Sequence, residues 1–92
     1  MKKAILTNSA DLSYYGPEAD EQVKALLDDL MVEYLEKLGY KVEVRSALEP
    51  GLELSDMDPY KDYSEIRYIY QRAWEYANER ADRVSLRDED EP

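Results

Sequence analysis

Residues 58–84 read DPYKDYSEIRYIYQRAWEYANERADRV and hold the single Trp and five of the nine Tyr of the 92-residue chain. Apolar residues fall at Tyr63, Ile66, Tyr70, Ala73, Trp74, Ala77, Ala81 and Val84. This spacing gathers them on one stripe of a long amphipathic helix. Asp58 is its expected N-cap, because an Asp side chain accepts the free N–H groups of a first turn. Pro59 suits the first helical position, where a missing N–H costs nothing.

Upstream, residues 17–38 carry a second helical stripe: Val23, Leu26, Leu27, Leu30, Met31, Tyr34, Leu35 and Leu38. Pro17 is the expected first residue, and Gly39 the stop, being the residue that best accepts the left-handed conformation after a helix. Beyond Gly39 the period changes to two. Tyr40, Val42 and Val44 alternate with Lys41, Glu43 and Arg45, as in a strand with one face on a core. Lys3–Thr7 is a short apolar run that reads as another strand. Pro50-Gly51 fits the centre of a type II turn, which lets Leu52–Ser55 return as a third strand or remain a loop.

The expected fold is therefore a small single α/β (α+β) domain in the order β1-α1-β2-β3-α2. Its two long amphipathic helices pack on one face of a short two- or three-stranded sheet, with a right-handed crossover if the first two strands are parallel. Residues 1–85 form the domain. The charged residues 86–92, LRDEDEP, are expected to be a disordered acidic tail.

Composition narrows the chemistry. With no Cys and no His, the chain has no thiolate nucleophile, no zinc-thiolate site, no Ser-His pair and no imidazole base. No apolar run approaches the roughly 20 residues of a membrane span. The start MKKAIL lacks the long apolar core of a signal peptide, so the expected setting is cytoplasmic. Twenty-two Asp plus Glu against 12 Lys plus Arg give a net charge of -10. Such a field repels nucleic acid and anionic membranes, and attracts a basic surface. Ordinary solubility or a saline habitat explains the same charge.

Two local patterns invite a ligand. The loop 7–16 follows a strand end, where α/β proteins often bind ligands, which draws Thr7, Asn8, Ser9 and Asp11 into view. Glu18, Asp20 and Glu21 at the start of the next helix would repel a phosphate, and there is no Gly-rich loop. Asp56, Asp58 and Asp62 cluster in sequence, but their spacing departs from a calcium loop, and helix capping accounts for them. No catalytic, cofactor or metal residue is therefore expected.

What remains is the acidic outer row of the first helix, Asp29, Glu33 and Glu36 with Glu18, flanked by Glu21 and Asp28. Tyr68, Glu75 and Glu79 lie on the outer side of the second helix. Acidic rows interleaved with Tyr resemble, as a functional class, the surfaces of small phage or plasmid proteins that mimic nucleic acid, anti-CRISPR inhibitors among them. The density sets a limit. The first helix carries about one carboxylate per 5 Å of length, whereas duplex DNA carries one charge per ~1.7 Å. The expected function is a non-enzymatic protein that binds a basic protein surface, such as that of a nucleic-acid-binding enzyme, through Asp28, Asp29, Glu33, Glu36, Tyr68, Glu75 and Glu79. The loop tyrosines Tyr14 and Tyr15 are further candidates to stack on guanidinium groups. Two other readings stand beside it: a structural homo-oligomer, such as a dimer using Tyr68 and Val32, and a small carboxylate enzyme or nucleotide-binding domain using the 7–16 loop.

Overall fold

β1 (Lys2–Ser9) is the central strand, because its even-numbered side chains Ala4 and Leu6 are almost wholly buried while its backbone is paired on both sides. The computed structural model describes residues 2–16 and 19–90, with side chains described for 2–16 and 19–81. After β1 come a short 3-10 helix (Leu12–Tyr15), α1 (Glu21–Lys37), β2 (Tyr40–Ala47), β3 (Gly51–Leu54) and α2 (Tyr63–Asp90). The sheet order is β2-β1-β3. β1 pairs with β2 in parallel from Lys2↔Tyr40 to Ser9↔Ala47, and with β3 antiparallel from Ala4↔Leu54 to Thr7↔Gly51. This is the expected α+β architecture, with both helices on one face of the sheet.

The core lies between that face and the helices. Ala4 and Leu6 of β1, Tyr40 of β2 and Leu54 of β3 meet Leu27, Met31 and Leu35 of α1 and Ile66, Ala73, Ala77 and Ala81 of α2. The Ala residues of α2 recur at helical spacing and let its backbone approach α1 closely. The opposite sheet face carries Lys3, Ile5 and Thr7, flanked by Lys41, Glu43 and Arg45 on β2 and Glu53 on β3.

Several local expectations are corrected. α1 begins at Glu21, later than residue 17, because the Asp20 side chain accepts from the Val23 N–H at 2.9 Å and so fixes the start. Pro17 and Glu18 lie outside the described residues. Its end is as expected: Gly39 takes φ 96° and donates its N–H to the Glu36 carbonyl at 3.0 Å. Asp58 caps the N–H groups of Tyr60 and Lys61, but the turn it caps precedes the helix, which starts only at Tyr63. Pro50-Gly51 is not a type II turn. Gly51 has no positive φ and is already the first residue of β3. Tyr63, Leu38 and Val44 sit on apolar stripes yet are 56%, 40% and 47% exposed, because Tyr63 and Leu38 lie at the ends of their helices and Val44 lies on the sheet's edge strand, facing a groove beside α1. The side chain of Val84 lies outside those described. α2 runs on through residues 86–90 of the segment expected to be a disordered tail, and residues 91–92 lie outside the described residues.

Since Asp20 is the one side chain among the described residues that caps the first turn of α1, Asp20→Ala should lower stability by about 1 kcal/mol. A urea melt checks this, and an unchanged midpoint would mean the cap is dispensable.

Candidate functional site

The outward side of the two helices carries most of the residues selected from sequence. On α1, Asp29 and Glu36 are exposed, and neither carboxylate has an ion pair or hydrogen bond among the described residues. Glu33 lies one turn before Lys37, at 3.8 Å from its Nζ. Lys37 has a closer partner across the helix seam, donating to the Tyr76 hydroxyl of α2 at 2.8 Å.

That seam is a layered cluster. The Tyr76 ring rests against Tyr34, with centroids 5.4 Å apart, and lies beneath both the Lys37 ammonium at 5.0 Å and the Arg80 guanidinium at 4.7 Å. The hydrogen bond from Lys37, followed by the influence of Arg80, lowers the Tyr76 phenol below its ordinary pKa. Arg80 is held more firmly protonated by Tyr76 first, then by the charges of Glu33 and Glu79. The acidic rows of α1 and α2 approach each other at this point. Further along α2, Glu75 is engaged by Arg72 at 3.3 Å, and Tyr68 is 64% exposed.

Asp28 is elsewhere. It is 7% exposed and faces the opposite flank of α1, where its Oδ1 accepts from the Tyr15 hydroxyl at 3.2 Å and its Oδ2 from Lys24 Nζ at 3.2 Å. Burial raises its pKa, against the pull of Lys24 and Tyr15. Asp28 is thus a structural clasp between α1 and the 3-10 turn, and is unavailable to an external cation. The structure brings Glu33 and Glu79 together around Arg80, leaves Asp29 and Glu36 open on the outward side, and turns Asp28 away from Arg80 into a groove that Asp29 also lines.

The loop tyrosines are also committed. Tyr14 and Tyr15 pack edge-on with centroids 5.4 Å apart, both lie against Trp74, and the Tyr14 hydroxyl shares a 2.9 Å hydrogen bond with that of Tyr70. They close one corner of the core. The neighbouring strand end is equally occupied: Asp11 N–H donates to Ser9 Oγ, and Asp11 Oδ1 accepts from the Ser13 N–H and hydroxyl. Thr7 and Asn8, as successive strand residues, project to opposite sheet faces. Beside Asn8, a groove of about 640 Å³ is lined by Glu21, Lys24, Asp28 and Asp29, whose net negative charge disfavours a phosphate.

Asp56, Asp58 and Asp62 serve local geometry. Asp56 accepts from the Tyr40 hydroxyl at 2.8 Å, Asp58 caps its turn, and Asp62 accepts from the Asp58 N–H at 2.9 Å. Among the described residues, no group of Asp and Glu is arranged to hold a metal ion. None of their helices is long and apolar enough to cross a membrane.

On the other flank of α1, Asp20 caps the first turn and Lys24 reaches forward to Asp28. The Lys37–Tyr76–Arg80 stack had no sequence signal, because its members lie on two helices whose relative register is a tertiary property. No protein-family model, curated protein or solved structure matches the chain.

Proposed function

We propose that this is a non-enzymatic cytoplasmic binding protein that engages a basic protein surface with the outward side of its helix layer. Asp29, Glu33 and Glu36 of α1 are the primary contacts, with Glu79, Glu75 and Tyr68 of α2 beside them. One observation carries this reading. In a chain of net charge -10, Asp29 and Glu36 stand solvated without a cationic partner among the described residues, on the side where Glu33 and Glu79 converge. A cationic partner would pair with these carboxylates, and its guanidinium groups would stack on the Tyr68 ring.

Mimicry of a nucleic acid is the sharpest form of this function, with a nucleic-acid-binding enzyme as the target. The local balance makes it a mimic of a strand segment rather than of a duplex. Lys37 and Arg72 neutralise part of the row, and the three α1 carboxylates are spaced at about 5 Å. Asp28 does not take part.

Reversal of Asp29, Glu33 and Glu36 to Lys tests the reading. The three positions lie on the outer side of α1, so the circular dichroism spectrum and melting temperature should change little. Binding to a basic DNA-binding protein captured by the wild type, and displaced from it by duplex DNA, should weaken about 100-fold or more, since each reversal places like charges together. Binding retained by the triple variant would overturn the assignment of this surface.

A further inference from the structure

β2 is an eight-residue edge strand, paired to β1 on one side and to nothing on the other among the described residues. Natural edges are commonly guarded by charged side chains, by Pro, by a bulge or by being very short. Of these β2 has only the charged side chains. It has no Pro, its pairing to β1 is continuous from Lys2↔Tyr40 to Ser9↔Ala47, and its open-face side chains alternate in sign: Lys41, Glu43, Arg45.

The backbone fixes which groups face outward. The Ala47 carbonyl accepts from the Ala10 N–H at 2.9 Å and so points at β1. Backbone groups alternate in direction along a strand, so those of Val42, Val44 and Ser46 point to the open edge. An antiparallel partner strand must bond to these even-numbered residues. For a second copy of β2, that restricts the registers to those pairing even with even.

Among them, charge and overlap together select one, since centring on Val42 also opposes Lys41 to Glu43 but pairs only residues 40–44 of the eight-residue strand. Centring on Val44↔Val44 pairs Val42 with Ser46 and sets Glu43 of each copy directly opposite Arg45 of the other. The odd pairs are the non-hydrogen-bonded ones, in which side chains lie closest. Centring one residue earlier, on Glu43, opposes Glu43 to Glu43 and Lys41 to Arg45. Centring one residue later, on Arg45, opposes Arg45 to Arg45. Both repel.

Burial agrees with the first register. Along β2, exposure rises from 6% at Tyr40 to 47% at Val44, and Leu48 just beyond the strand is 83% exposed. The helices thus leave the Val44–Leu48 end clear, where the partner's covered Tyr40 end would lie. Val44 would meet Val44, and Leu48 would lie beside Tyr40. We infer that this protein pairs with a second copy of itself through β2, antiparallel and centred on Val44, making a continuous six-stranded sheet with all four helices on one face. The interface is isologous, so each Glu43–Arg45 contact occurs twice.

Sedimentation at about 0.15 M salt, where the Debye length of ~8 Å screens the net repulsion between copies, should show a concentration-dependent dimer. Glu43→Arg and Arg45→Glu should each weaken self-association about tenfold or more, because each variant opposes like charges twice. Mixing the two variants should restore a dimer, now a heterodimer, since every opposed pair is again of opposite sign. Val44→Pro is an independent check. The Val44 N–H makes no bond to β1, so the monomer keeps its ladder while the central pair of intermolecular bonds is lost. Circular dichroism verifies that each variant is folded. A wild type that stays monomeric into the millimolar range overturns the inference. So does a dimer indifferent to Val44→Pro, or one that the mixed variants fail to restore.

Discussion

Leu35→Ala should lower the free energy of unfolding by about 3 kcal/mol, within the 2–5 kcal/mol range for removing a buried Leu side chain. Leu35 is 0% exposed and belongs to the cluster in which α1 meets both β1 and the Ala stripe of α2. Two elements must retreat or leave a cavity when it is truncated. A domain of this size has roughly 5–10 kcal/mol in total, so the loss is a large fraction of it and corresponds to a fall of about 15 °C in melting temperature. The adjacent Glu36 is the control. It is exposed, and Glu36→Ala should fall within about 0.5 kcal/mol of the wild type. Similar melts for the two variants would show that the inner and outer sides of α1 have been misassigned.

This contrast between neighbours was legible from spacing alone, because a 3.6-residue period separates inward from outward positions wherever another element covers the whole length of the helix. It fails where cover ends. Tyr63 keeps the same stripe as Ala73 and Ala77, yet it is more than half exposed while they are sealed, because the first turn of α2 runs beyond what α1 and the sheet cover. Val44 departs from the strand pattern because it lies on the edge strand beside a groove that α1 leaves open, and its exposure is what makes the β2 edge a surface. Asp28 shows the converse. It occupies a flank position that reads as solvent, but the 3-10 turn brings Tyr15 against it, and that placement is set by a loop conformation with no periodic signature. The candidate surface was therefore legible in its α1 row. Its dependence on Lys37, Tyr76 and Arg80 was not, since a contact between two helices requires their relative rotation.

Raising the pH should unfold the protein in a step coupled to phenol ionisation. Burial is the first cause that raises the pKa of Tyr15, Tyr40 and Tyr70. It is reinforced by the charge of Asp28 at Tyr15, by the hydrogen bond to Asp56 at Tyr40 and by the hydrogen bond with Tyr14 at Tyr70. Tyr40 is pushed up to about 12 from an ordinary 10.0. Below pH 10 these phenols are protonated in both folded and unfolded chains and contribute no pH dependence. Above it the unfolded chain releases protons that the folded chain retains, so stability falls as the pH rises from about 10 towards 12. Tyr76 has the opposite sign. Its lowered pKa lets it ionise first in the folded state, where Lys37 and Arg80 receive the phenolate, so it offsets part of the loss. Absorbance at 295 nm should therefore show one early ionisation without loss of helix, then a late group that rises together with the collapse of the 222 nm ellipticity. Tyr40→Phe removes one late group and should move that collapse to higher pH. If all the phenols titrate in a single wave near pH 10 while the helices persist to pH 12, then Tyr15, Tyr40 and Tyr70 are not enclosed as the structure places them.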